Sequence, residues 1–198
     1  MRIILNLLQK TGSSFEDTSK VLLDMRMYLV DILLNLTTIN QFGYFVWSSL
    51  TEQIFTFFAE NLTKAKDWCL KMADAKNKIE FDGAERPLNE LSSLVVLTVN
   101  VMSDDNDEEG GNRRLLADEF LKQADSFFQN TLLELFEAFI ALRRTKTVSD
   151  RVSLSITEGL SSIFCALCSS PSLRYLWADQ VQSFLRLFFS DKDLVKKC

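Results

Sequence analysis

Residues 19–38, SKVLLDMRMYLVDILLNLTT, decide the fold class. Leu22, Met25, Leu29, Leu33 and Leu36 recur three and four apart, the spacing that winds one apolar stripe along an α-helix. The other side carries Asp24, Tyr28, Asp31 and Asn35 at the same interval, so the segment reads as an amphipathic helix with a polar face to offer. Two further segments repeat the design. One begins at Pro87, a residue suited to a helix's first turn, and runs through PLNELSSLVVLTVNVM with Asn89, Ser93 and Asn100 on its polar side. The other runs from about Ser149 through VSLSITEGLSSIFCALC, with Ser155, Glu158 and Ser162 outward.

Each strong helix gives way to a polar loop, TTINQFG, SDDNDEEGGN or SSPS, and then to a new amphipathic run. Setting Trp47 on Trp177 brings Ile54 onto Phe184 and Phe58 onto Phe188 without a gap, which marks an internal repeat. The middle copy is weaker, with Leu116 where the tryptophans fall. Further helices are expected at 48–72 and 115–144, and long connections at 73–86 and 103–111.

Composition agrees with long helices. The 198 residues are 47% hydrophobic and 25% charged, with 6 Gly and 2 Pro, which is sparse punctuation for a chain with many tight turns. Most of the 16 Phe fall in clusters, such as Phe55, Phe57 and Phe58, or Phe188 and Phe189, that suit bulky layers between helices. A net charge of −5 disfavours non-specific nucleic-acid binding, which needs Lys and Arg against phosphates. MRIILNLLQK is too short in its apolar part for a secretion signal, and no run of about 18 apolar residues marks a membrane span. Four cysteines in helical contexts suit a reducing compartment, cytosol or nucleus. The triplets Asn35-Leu36-Thr37 and Asn61-Leu62-Thr63 read as helical residues rather than glycan acceptors.

ILLNLTTINQFGYFVW, VLTVNVMSDDNDEEGGNRRLLAD and SIFCALCSSPSLRYLWAD each resemble the junction in armadillo-type repeats where the long third helix passes through a polar loop into the next repeat. Leu34-Asn35-Leu36 and Val99-Asn100-Val101 are similar to that helix's Leu-Asn-Leu ending, and Ala166 departs from it. The resemblance covers nearly the whole chain and rests on a degenerate motif. It implies an all-α, armadillo/HEAT-like right-handed α-solenoid of about three repeats, one domain over 1–198 with units near 1–43, 44–111, 112–173 and 174–198. In that family the third helices line a groove for peptides or partner helices. No Trp lies on these three helices, unlike the nuclear-import adaptors; the style is nearer to large irregular scaffolds such as the rotatin family of centriole and cilium proteins or the cohesin-release factors. The ends read as uncapped apolar helices, which implies a segment of a longer solenoid or an oligomer formed through the exposed terminal helices.

Little catalytic chemistry is encoded. The absence of histidine removes the commonest general base and metal ligand. Cys165 and Cys168 could share a helix face, yet a structural zinc site needs four ligands and no second pair has matching spacing, so packing explains them. An EF-hand register starting at Asp105 puts Leu116 at position twelve, where a bidentate Glu is required. No metal or cofactor is expected. The basic cluster Arg143, Arg144 and Lys146, with Arg151 nearby, reads as helix C-terminal charge, with a nucleic-acid contact as the alternative.

The function expected is that of a non-enzymatic scaffold whose partner is a helix or peptide with basic residues and an apolar anchor. Its contact residues would be Asp24, Tyr28, Asp31, Asn35, Asn89, Ser93, Asn100, Ser155, Glu158 and Ser162. Centriole or centrosome is the location that the resemblance suggests.

Overall fold

The computed structural model describes residues 2–16, 20–37, 40–74, 85–102, 131–145, 148–169 and 174–190. They form seven helices: α1 (Arg2–Lys10), α2 (Lys20–Thr37), α3 (Asn40–Asp74), α4 (Glu85–Met102), α5 (131–145), α6 (Asp150–Ser169) and α7 (Arg174–Ser190). No strand occurs among the described residues, so the chain is all-α. The helices follow the three amphipathic segments closely. Pro87 lies in the first turn of α4, where its missing N–H removes no intrahelical bond.

One boundary differs. α3 begins at Asn40 and runs unbroken for 35 residues, so the unit boundary expected at 43/44 falls inside a helix and only residues 38 and 39 separate α2 from α3. Asn-Gln-Phe-Gly resembles a turn locally, but Asn suits a helix start. A glycine in the first turn costs only about 1 kcal/mol relative to Ala, which burial further along, at Ile54, Phe57, Phe58, Leu62 and Ala65, outweighs. The acidic loop 103–111 lies outside the described residues.

α4 sits between α2 and α6, packing most extensively on α6 and next on α2. α3 touches α1, α2 and α4, and α7 rests on α6. One core cluster links these layers, with Phe57, Phe58, Phe136 and Phe139 fully buried in it. α5 is tied in by Lys66 to Glu134 at 2.9 Å and by Phe136, whose ring stacks 4.8 Å from Phe184.

The register that sets Trp47 on Trp177 extends beyond the tryptophans. It sets Lys20, the first residue of α2, on Asp150, the first of α6. Buried Arg26, Val30 and Leu33 then fall on buried Ile156, Leu160 and Ile163, and buried Ile54 on buried Phe184. At these four positions the two segments turn inward alike. They differ elsewhere: Phe58 is buried and Phe188 half-buried, while Met27 and Leu34 are half-buried and their counterparts Thr157 and Phe164 are buried.

Candidate partner-binding surfaces

The inward face of α2 is rotated from the expected stripe. Arg26, Val30 and Leu33 are buried, whereas Leu22 and Met25 are 40% and 41% exposed. In α6 the equivalents of Met25 and Leu29 are Ser155 and Gly159. Ser155 bonds Ser92 of α4 at 2.7 Å, and a Cβ built on Gly159 would overlap Val95 of α4. On α6 this side is thus taken by a neighbouring helix. On α2 Leu29 still packs against the core, but Met25 is 41% exposed.

The consequence is a continuous apolar strip on α2. Val21, Met25, Tyr28 and Ile32 succeed one another four, three and four residues apart, and Val21 and Tyr28 are 77% and 72% exposed. Asp24, Asp31 and Asn35 are exposed alongside, and the Asp24 carboxylate meets Arg86 of α4 at 3.2 Å. The four residues singled out on this helix therefore share one solvent-facing side with Val21 and Ile32, and with Met25, which the spacing of the apolar residues had placed inward.

Arg26 is the residue that the stripe argument missed. At 2% exposed, it donates from Nε to Oε1 of buried Glu90 at 2.6 Å. Its other nitrogens reach the Leu8 carbonyl at 2.7 Å and Asn61 Oδ1 at 2.5 Å, and its guanidinium stands 5.8 Å from the Phe57 ring centroid. Asn61 Nδ2 donates on to Phe57 O at 2.7 Å. The second Glu90 oxygen accepts from the Ser14 amide at 3.0 Å and from the Ser14 hydroxyl. Four helices and the α1–α2 connection thus meet at one ion pair. The Leu8 carbonyl, in the last turn of α1, lacks an onward helical donor, and Arg26 and Thr11 Oγ1 both supply one. Gly12, at φ 69°, turns the chain away just beyond. The segment then crosses α3, with Phe15 6.1 Å from Trp68 and Glu16 3.0 Å from Lys64. The bonds from Lys64 and Ser13 hold the Glu16 carboxyl below its usual range. The sequence carried one signal of this lock: opposite charges, Arg26 and Glu90, each in register with the apolar ladder of its helix.

At the other end, α6 and α7 enclose an open groove of about 540 Å³. Thr157, Glu158, Ser161 and Ser162 form one wall, and Phe184, Leu185, Phe188 and Phe189 the other. Glu158 and Ser162 are exposed on its rim, as the sequence suggested. Ser155 is half-buried at the α4–α6 contact instead, apart from the groove. On α4, Asn89 is exposed while Ser93 and Asn100 are half-buried. The polar residues of the three helices therefore do not converge on one site: α2 and the α6–α7 groove flank α4 on opposite sides.

In the basic cluster, Arg144 Nη2 donates to Ser190 Oγ at 2.9 Å and to the Ser190 carbonyl at 3.4 Å. It thereby covers the C-terminus of α7, a favourable place for a cation. Arg143 is half-buried, Arg151 is exposed, and Lys146 lies outside the described residues. Cys165 is exposed and Cys69 buried; burial pushes the Cys69 thiol up to about 12. The side chain of Cys168 lies outside the described residues. Among the described residues no three Cys, Asp or Glu side chains are grouped to hold a metal, and no helix is long and apolar enough to cross a membrane.

No family model, curated protein or solved structure matches this chain.

Proposed function

We propose that this chain is an armadillo/HEAT-like right-handed α-solenoid segment of about three repeats that acts as a non-enzymatic scaffold, binding a partner helix or extended peptide. The observation that carries this reading is the outer side of α2, where Val21, Met25, Tyr28 and Ile32 form an exposed strip beside Asp24 and Asp31. Apolar side chains set in line on a helix favour a partner that brings its own apolar stripe, because burying such area drives association. The carboxylates favour one that is basic. The alternation of α2, α4 and α6 in one stack, and the inward positions shared by α2 and α6, support the repeat reading. A cytosolic or nuclear protein, in the style of a centriolar scaffold, is the setting we favour.

The test is a cross-linked pull-down from cell lysate with this chain beside its Asp24→Lys/Asp31→Lys variant. Both positions are exposed, and the Asp24 to Arg86 pair is a surface contact worth at most about 1 kcal/mol. The helical signal and melting temperature should therefore hold. A partner recovered by the native chain should be lost, or weakened about tenfold or more, by the double variant; equal recovery would remove α2 from the binding surface.

A further inference from the structure

Serines 161 and 162 of α6 stand at the places that Asp31 and Ile32 occupy in α2 when the two copies of the repeat are superposed in register. Smaller side chains there, facing the phenylalanines of α7, open the groove. Its far wall is held in place by an aromatic ladder that begins in the core. The Phe164 ring stacks on Phe184 at 4.1 Å and 6°, Phe184 lies 6.5 Å from Phe188, and Phe188 meets Phe189 edge-on at 5.7 Å. Phe184 is 6% exposed and Phe189 62%, so the ladder runs from a buried anchor to an open rim. Such a wall changes little on binding, which keeps the ordering cost of a ligand low.

Polar groups on the serine wall select the occupant. Ser161 Oγ is buried and has no hydrogen-bond partner. Glu158, exposed on the rim, is the one charged residue among the described residues that line the groove. An apolar anchor of one or two large side chains suits the phenylalanine wall, and a cation suits Glu158. A free fatty acid would bring its carboxylate to Glu158 and is disfavoured by charge.

From this we propose that the α6–α7 groove is a second docking site, for an amphipathic helix of another protein that seats a bulky apolar residue against Phe184 and Phe188 and sets a Lys or Arg against Glu158. It lies on the far side of α4 from α2 and does not depend on the α2 surface binding anything.

The probe is a displayed library of amphipathic helical peptides, selected on the whole 198-residue chain, with affinities then measured for synthetic copies of the enriched sequences. Enriched helices should carry an aromatic or leucine anchor with Lys or Arg one turn away. Their affinity should fall about tenfold or more in Ser162→Trp, which fills the groove from its exposed rim, and similarly in Glu158→Lys. Both sites are on the surface, and circular dichroism verifies that each variant folds. The proposal is overturned if no helix is enriched, or if the enriched helices lack the anchor-and-cation pattern or still bind Ser162→Trp. It is overturned equally if light scattering shows the chain closing this groove with a second copy. Loss of binding in Asp24→Lys/Asp31→Lys with both groove variants unaffected would place the helices on α2, leaving the scaffold reading standing and this one not.

Discussion

Arg26 and Glu90 are charged residues withdrawn from water, and removing ions from water is costly enough that such a pair is weak evidence for net stability. Its consequence is asymmetry between mutations. Glu90→Ala leaves a buried guanidinium without its counter-ion, facing Asn61, the Leu8 carbonyl and the Phe57 ring, and Ser14 loses its acceptor. Chemical denaturation should show a loss of about 3–5 kcal/mol. Arg26→Met in the same chain should recover part of that loss, a coupling that a double-mutant cycle reads directly. Cys69 offers a second residue-scale test. Its thiol pKa lies near 12 in the folded chain against an ordinary 9.0, so the folded state keeps a proton that the unfolded state releases. Stability should decline as pH rises from about 9 towards 12, and Cys69→Ala should reduce that slope, leaving the part due to Lys66, which Glu134 holds protonated in the folded chain. At pH 8 a thiol reagent should modify exposed Cys165 and spare Cys69 until the chain unfolds, as peptide mapping would show.

Among the elements, α4 and α6 pack most extensively and come close together at Gly159 beside Val95. A methyl group there gains about 1 kcal/mol of helix propensity but must displace a β-branched side chain inside a packed contact, which costs roughly 1–3 kcal/mol. Gly159→Ala should therefore lower the melting temperature, and Val95→Ala in the same chain should restore part of it. The helices themselves were legible in the sequence because spacings of three and four specify a helix whatever surrounds it. The direction each helix faces was less so. For α2 the apolar residues Leu22 and Met25 are partly exposed while Arg26 turns inward, and the partner that accepts it, Glu90, lies 64 residues away along the chain. The start of α3 was misread for the opposite reason, a locally turn-like stretch absorbed by a long helix. Glu158 and Ser162 were legible as a surface, while the groove beside them depends on how α7 packs and on the rotation of Phe188 and Phe189, which no local pattern encodes.

For the molecule as a whole, α2 and α6, which an offset of 130 residues sets on each other, meet similar packing problems with different chemistry. Where α2 buries Arg26, α6 buries Ile156. The apolar version needs only neighbours of suitable shape, and its α4–α6 contact joins helices adjacent in the stack. The charged version needs a definite partner carried on α4. The order in which the chain emerges during synthesis then matters. Helices α1, α2 and α3 are complete while Glu90 is still inside the ribosome, and until it leaves, enclosing Arg26 means enclosing a charge without its counter-ion. Helices α1, α2 and α3 are therefore expected to associate only loosely until α4 brings the carboxylate of residue 90 to Arg26, and a chain ending before residue 85 should show helical signal without a cooperative melt.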